Sequence, residues 1–155
     1  MAGQVIVADV GMTPFKKPSE SEPYFAMGAA AVKEALADSG IGYEEVQQAY
    51  AGYVYGDAAL RARTLYGVGM TGIPIVNINN NCSTGSTTLF LARQAVASGA
   101  VDCALALGFE QMRPGALGNI FADRPSPLQP FDDLVGEKHI PLALRYFVGA
   151  GREHM

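Results

Sequence analysis

Tryptophan is absent from this 155-residue chain, and cysteine and histidine occur only twice each. Two cysteines, Cys82 and Cys103, cannot build a disulfide framework and fit a reducing compartment. Charge is scarce as well: Asp, Glu, Lys and Arg make up 17% of the residues against 49% hydrophobic, which excludes a disordered segment or a charged tail. The net charge of -4 leaves no basic footprint for nucleic acid. Long apolar runs are missing too. Stretches such as residues 25–32 fall far short of a membrane span. The N-terminus, Met-Ala-Gly-Gln, has no basic stretch followed by an apolar core, so no secretory leader is expected. Glycine and proline stay below the level of low-complexity sequence. What is left is a globular chain long enough to bury a sizeable core.

The pattern along the chain alternates between short apolar runs and helical spacing. Residues 4–10 (QVIVADV) read as a strand ending at Gly11. Pro23 sits where a first helical turn tolerates proline, Phe25, Ala29, Val32 and Leu36 recur on one helix face, and Gly40 is a C-terminal stop. Residues 49–55 read as a second strand. Asp57 then caps a short helix through Leu65 that Gly67 ends. Residues 73–79 are a third strand. Residues 83–97 form a helix with apolar side chains around much of its circumference, which predicts burial on all sides. Residues 102–108 (DCALALG) are a fourth strand. This β-α-β-α-β-α-β order predicts an α/β fold, a mostly parallel sheet with covering helices. Beyond Glu110, with Pro114, Pro125, Pro127 and Pro130, the chain reads as an excursion, and Asp132 or Asp133 caps a last helical stretch that includes residues 142–147.

Few residues carry chemistry. Gly67-x-Gly69-x-x-Gly72 has the spacing of a dinucleotide fingerprint but follows a helix and leads into a strand, the reverse of the required order; it is a turn. The segment Asn79-Asn80-Asn81-Cys82-Ser83-Thr84-Gly85-Ser86 joins an apolar strand to a helix and places Cys82 at the helix start. Free N–H groups and the helix dipole there favour a thiolate and can receive an oxyanion. A buried, inert thiol is the competing reading. Cys103 lies in an apolar run and reads as a small hydrophobe. His139 and His154 could each serve Cys82 as a base, but both fall in the irregular C-terminal third, where a surface or loop role suits them better. Glu110 follows the fourth strand, where α/β proteins place functional groups, and equally where a local cap or pair would sit. No spacing of Cys, His and carboxylates suggests a metal site.

Six segments in order, Gly11-Met-Thr-Pro-Phe15, Gly52-Tyr-Val-Tyr-Gly-Asp57, Gly69-Met-Thr-Gly-Ile-Pro74, Asn79 to Ser86, Ala104-Leu-Ala-Leu-Gly-Phe-Glu-Gln-Met112 and Gly151-Arg-Glu-His-Met155, carry a family resemblance. The chain resembles the thiolases, specifically the N-terminal portion of the sterol-carrier-protein-2 type of 3-ketoacyl-CoA thiolase. The resemblance implies a thiolase-like α/β core over residues 1–110 and the start of a loop domain, cut short, over 111–155. It implies that Cys82 is the catalytic nucleophile and that its own N–H is one oxyanion donor. No permanently bound cofactor is implied; CoA and acyl-CoA thioesters enter as substrates.

The resemblance further implies an acyltransferase of lipid metabolism that cleaves or condenses 3-ketoacyl-CoA, working as a homodimer paired through residues 73–79, or paired with a complementary chain. Its compartment is cytoplasmic, or peroxisomal in a eukaryote. Two departures bear on this. Ala58-Ala59-Leu60-Arg61 replaces small polar residues and a Gln usual in close relatives, close to the nucleophile. The family's HDCF-like and GHP segments, whose histidines activate the thiol and hold the substrate oxygen, are not in this sequence, and neither His139 nor His154 matches them. The chain by itself is therefore expected to lack full competence. The rival readings are a non-catalytic half-fold subunit, for assembly or for binding acyl-CoA or lipid, and a condensing or retro-aldol enzyme of the same fold.

Overall fold

The computed structural model describes residues 4–56, 59–112, 123–135 and 142–155. Asp57, Pro114 and His139, and the expectations placed on them, lie outside these residues. The chain divides into two compact units, Met1–Gln111 and Met112–Met155.

In the first unit α1 runs Tyr24–Ser39, followed by β1 Gln48–Gly52, α2 Leu60–Tyr66, β2 Ile75–Ile78, α3 Thr84–Ala97 and β3 Ala104–Gly108. Pro23 is the residue before the first turn of α1, and Gly40 ends the helix with φ 70°, a left-handed turn that glycine adopts without a Cβ penalty. The three strands form one parallel sheet in the order β2-β1-β3. Alternation along the strands sends side chains to two cores. Ala49, Ile75, Leu105 and Leu107 face Val32 of α1 and Leu65 of α2. Tyr50, Val76, Ile78, Ala104 and Ala106 face Ala92 and Ala95 of α3. The unit is three layers, helices on both faces of a parallel sheet, as the strand–helix order predicts.

Two expectations need correction. Among the described residues, 4–10 form no strand, and Ile6, Val7 and Val10 stand exposed. Apolar composition supplies strand propensity, but a strand exists only where a neighbour completes its ladder. The segment is held instead on α1. The Met12 N–H donates to Glu34 Oε2 at 3.1 Å, and a Cβ at Gly11 would strike the Ala31 carbonyl oxygen. The helix α3 is buried on one face only, by Thr84, Thr88, Ala92 and Ala95, while Leu89 and Phe90 are exposed. Small side chains at this helical spacing let α3 lie close on the sheet; the larger apolar ones project away.

The second unit contains α4 Gln129–Val135 and α5 Leu142–His154. Asp132 and Asp133 lie inside α4 rather than capping the final helix, because Pro130 in the first turn starts a separate helix. Asp132 accepts a hydrogen bond from Arg145 Nη2 of α5 at 2.5 Å, and the Phe131 and Tyr146 rings meet edge to face. His154 belongs to the last turn of α5 rather than to irregular chain.

Candidate active site

The site is built at the carboxyl ends of the parallel strands, the usual functional edge of an α/β sheet. After β2 ends at Ile78, residues 79 and 80 lead into a single 3-10 turn, Asn81–Ser83, and α3 follows at once. Cys82 occupies that turn with its side chain exposed. An exposed thiol does not fit the inert core cysteine that competes with the nucleophile reading.

Side-chain hydrogen bonds fix the loop. The Thr84 hydroxyl donates to the Asn81 carbonyl at 2.6 Å and accepts the Asn80 N–H at 2.9 Å. The Ser83 hydroxyl donates to the Asn80 carbonyl at 2.8 Å, and Asn80 Nδ2 donates to Thr87 Oγ1 at 3.0 Å. Asn81 holds φ 49°, the single positive φ outside glycine among the described residues, in a region that asparagine tolerates better than most. The helix carrying this loop is seated by Gly52 at the end of β1. A Cβ there would lie 2.5 Å from Thr84 Cγ2 and 3.0 Å from Thr88 Cγ2, both on buried side chains. Gly52 therefore lets the start of α3 approach the sheet.

Around the same edge stand Tyr24, Tyr53 and Phe109, stacked with ring centroids 5.0 to 5.9 Å apart, and Glu110. Glu110 Oε2 accepts the Val54 N–H at 3.0 Å, and Oε1 accepts the Gln111 N–H at 3.1 Å. Of the alternatives open to Glu110 in the sequence, local backbone pairing is what the geometry displays. Arg61 of α2 is buried, 6% exposed, and donates from Nη2 to the carbonyls of Tyr53 at 2.5 Å and Ile78 at 3.3 Å. Burial lowers its pKa, and the charge of Glu110 and the Tyr53 hydroxyl raise it in part. The burial of Arg61 escaped the sequence reading, which noted it only within the departure Ala58-Ala59-Leu60-Arg61. A charged residue at the start of a short helix gives no local sign that it points inward.

Cys103 sits at the opposite end of the sheet, just ahead of β3 rather than within it. Its carbonyl accepts the Gln47 N–H at 3.0 Å, and partial burial, with the nearby Glu45 carboxylate, pushes its thiol pKa up. Gly67 ends α2 and Gly72 takes φ 76°, so the glycine-rich stretch is the turn its order implies. His154 lies in the last turn of α5, and His139 falls outside the described residues. Among the described residues no cluster of three His, Cys, Asp or Glu side chains could hold a metal ion, and no helix is long and apolar enough to cross a membrane.

The family model for the thiolase N-terminal domain matches residues 5–120, three-quarters of the chain. The chain belongs to the thiolase family. It is 48% identical over its whole length to sterol carrier protein 2 of Gallus gallus, of which it spans 29%. It is 32% identical to the mitochondrial acetyl-CoA acetyltransferase of Danio rerio over 70% of this chain and 28% of that protein. Among solved structures, 3-oxoacyl-[acyl-carrier-protein] synthase III of Aquifex aeolicus matches 59% of the chain with a TM-score of 0.50 and 22% identity, a likeness of fold. These relatives place the chain as the N-terminal portion of the sterol-carrier-protein-2 type of thiolase. The chain thus spans about three-tenths of the length of these sterol carrier protein 2 relatives.

Proposed function

We propose that the chain is the nucleophile-bearing portion of a thiolase-type acyl-CoA acyltransferase. The observation that carries this reading is an exposed thiol, Cys82, in a hydrogen-bonded turn at the start of α3 and at the carboxyl end of a parallel sheet. In the complete reaction the Cys82 thiolate attacks the ketone carbon of a 3-ketoacyl-CoA. The bond from that carbon to C2 breaks, C2 takes up a proton, and acetyl-CoA leaves. The thiol of a second CoA then takes the acyl group from Cys82, restoring the thiol. The N–H groups of Asn80, Asn81, Ser83 and Thr84 are already bonded within the loop, so on this reading the N–H of Cys82 itself receives the oxyanion of each addition.

The test is selective modification. A small activated thioester near neutral pH is expected to acylate Cys82 well before Cys103, and iodoacetamide is expected to show the same preference. Cys103 is half-buried and its thiol is pushed up by burial, so its labelling should begin only at higher pH than that of a free thiol. Peptide mass mapping reads both sites, with Cys82→Ala as the control. Equal or preferential modification of Cys103 in folded protein contradicts the reading.

The same family geometry supports a homodimer through β2, which lies at the edge of the sheet with one side unpaired among the described residues. Ile78 belongs to the core on the α3 face and Ile75 packs against the core on the other face, so the informative substitution is at Asn77, whose side chain is exposed. Light scattering should give a dimer mass for the chain at micromolar concentration and a lower mass for Asn77→Lys, with circular dichroism unchanged. A monodisperse monomer for the unaltered chain counts against the dimer.

A further inference from the structure

Arg61 and Glu110 come from α2 and from the chain after β3, yet they meet one peptide unit. Arg61 Nη2 donates to the Tyr53 carbonyl at 2.5 Å, and Glu110 Oε2 accepts the N–H of Val54 at 3.0 Å. The carbonyl and the N–H are the two ends of the same peptide bond, so its dipole is gripped by a cation at one end and an anion at the other. Charged partners make the stronger class of hydrogen bond. The connection continues into the Cys82 loop. The next carbonyl, of Val54, accepts Asn79 Nδ2 at 3.4 Å, and Asn79 Oδ1 accepts the Asn81 N–H at 3.3 Å. Arg61 reaches the loop by a second route, through the Ile78 carbonyl, which also accepts the Tyr53 N–H at 3.4 Å.

The cost of this arrangement bears on its purpose. The Arg61 Nε is buried and has no hydrogen-bond partner among the described residues. Burying a cation with a donor unmet is a poor route to stability, and an apolar side chain of similar volume would serve a core as well. What Arg61 provides is geometry. We propose that Arg61 and Glu110 are positioning residues that clamp the Tyr53–Val54 peptide and through it set the turn carrying Cys82. This inference rests on the reading of Cys82 as nucleophile for its consequence, but the clamp can be measured without it.

The experiment uses the full chain and the variants Arg61→Met, Arg61→Lys, Glu110→Ala and Glu110→Gln. Native-state hydrogen exchange over residues 79–84 reads the loop directly, with α1 as reference. Losing a hydrogen bond to a charged group should raise exchange over 79–84 by about tenfold or more in Arg61→Met and in Glu110→Ala. Glu110→Gln keeps an oxygen acceptor and should stay within about twofold of the unaltered chain. Arg61→Lys has one compact donor in place of a planar fork and should fall between. A second readout is the rate of Cys82 acylation by an activated thioester divided by its rate of alkylation by iodoacetamide. Alkylation needs only an accessible thiol, whereas acylation needs the thiol and the oxyanion donors in register, so this ratio should drop about tenfold in Arg61→Met while a merely structural role would leave it unchanged.

Exchange over 79–84 that stays within about twofold in both Arg61→Met and Glu110→Ala overturns the clamp. If Arg61→Met loosens α1 equally, the comparison of Glu110→Ala with Glu110→Gln decides, and equal exchange in those two overturns it. If the unaltered chain shows no Cys82-dependent acylation, the nucleophile reading fails and the exchange result alone settles the clamp.

Discussion

Purified chain given acetoacetyl-CoA and CoA is expected to show no steady-state loss of substrate, only a stoichiometric mass shift at Cys82 that Cys82→Ala abolishes. The unit carrying Cys82 supplies a thiol and its own N–H at the start of a helix. Thiolase chemistry also needs a base for the thiol, a proton donor for the leaving carbanion and a second oxyanion site. The family's HDCF-like and GHP segments, whose histidines do this work, are not in this sequence, and neither His139 nor His154 matches them. Each missing contribution is worth on the order of a hundred- to a thousand-fold in rate, so the combined deficit is many orders of magnitude. Sustained CoA-dependent turnover by this chain, lost in Cys82→Ala, would show that residues within it supply the acid–base work.

The second large effect is on stability. Leu65→Ala should lower the unfolding free energy of the first unit by about 3 kcal/mol, within the usual range for a buried leucine. Leu65 is 0% exposed and is the largest fully buried side chain among the described residues. It joins α2 to Val32 of α1 and to Ala49 and Leu107 of the sheet. Its partners Ala49 and Val32 are small or stiff and belong to separate elements, so they cannot collapse into the gap. Denaturant unfolding followed by circular dichroism measures the change. A loss below about 1 kcal/mol would mean that this side of the sheet repacks freely.

The alternation of strands and helices was legible because each periodicity is local: α1 between Pro23 and Gly40, or β1 with Ala49 and Tyr50 facing opposite cores, depends on neighbours in sequence. The failures were non-local. Residues 4–10 carry strand composition, but a strand also needs a neighbouring ladder, which composition does not reveal, and among the described residues they form none. The apolar surround of α3 suggested burial on every side, whereas the sheet covers only the face of Thr84, Thr88, Ala92 and Ala95. At the site, Cys82 could be found from its place before a helix. Arg61 could not, because its partners Tyr53 and Ile78 lie 8 and 17 residues away and pairing them requires the fold.

The placement of the two thiols at opposite ends of a parallel sheet has a redox consequence. Cys82 follows the carboxyl end of β2 and Cys103 precedes the amino end of β3. Five residues of strand at about 3.3 Å each separate those ends by roughly 16 Å, far beyond the ~7 Å within which two α-carbons can be bridged. Oxidation of the folded chain cannot close an internal disulfide. Peroxide at Cys82 therefore gives a sulfenic acid with no resolving partner in its own sheet: capping by a thiol on another molecule keeps the loss of the nucleophile reversible, and further peroxide carries it to the irreversible sulfinic and sulfonic acids.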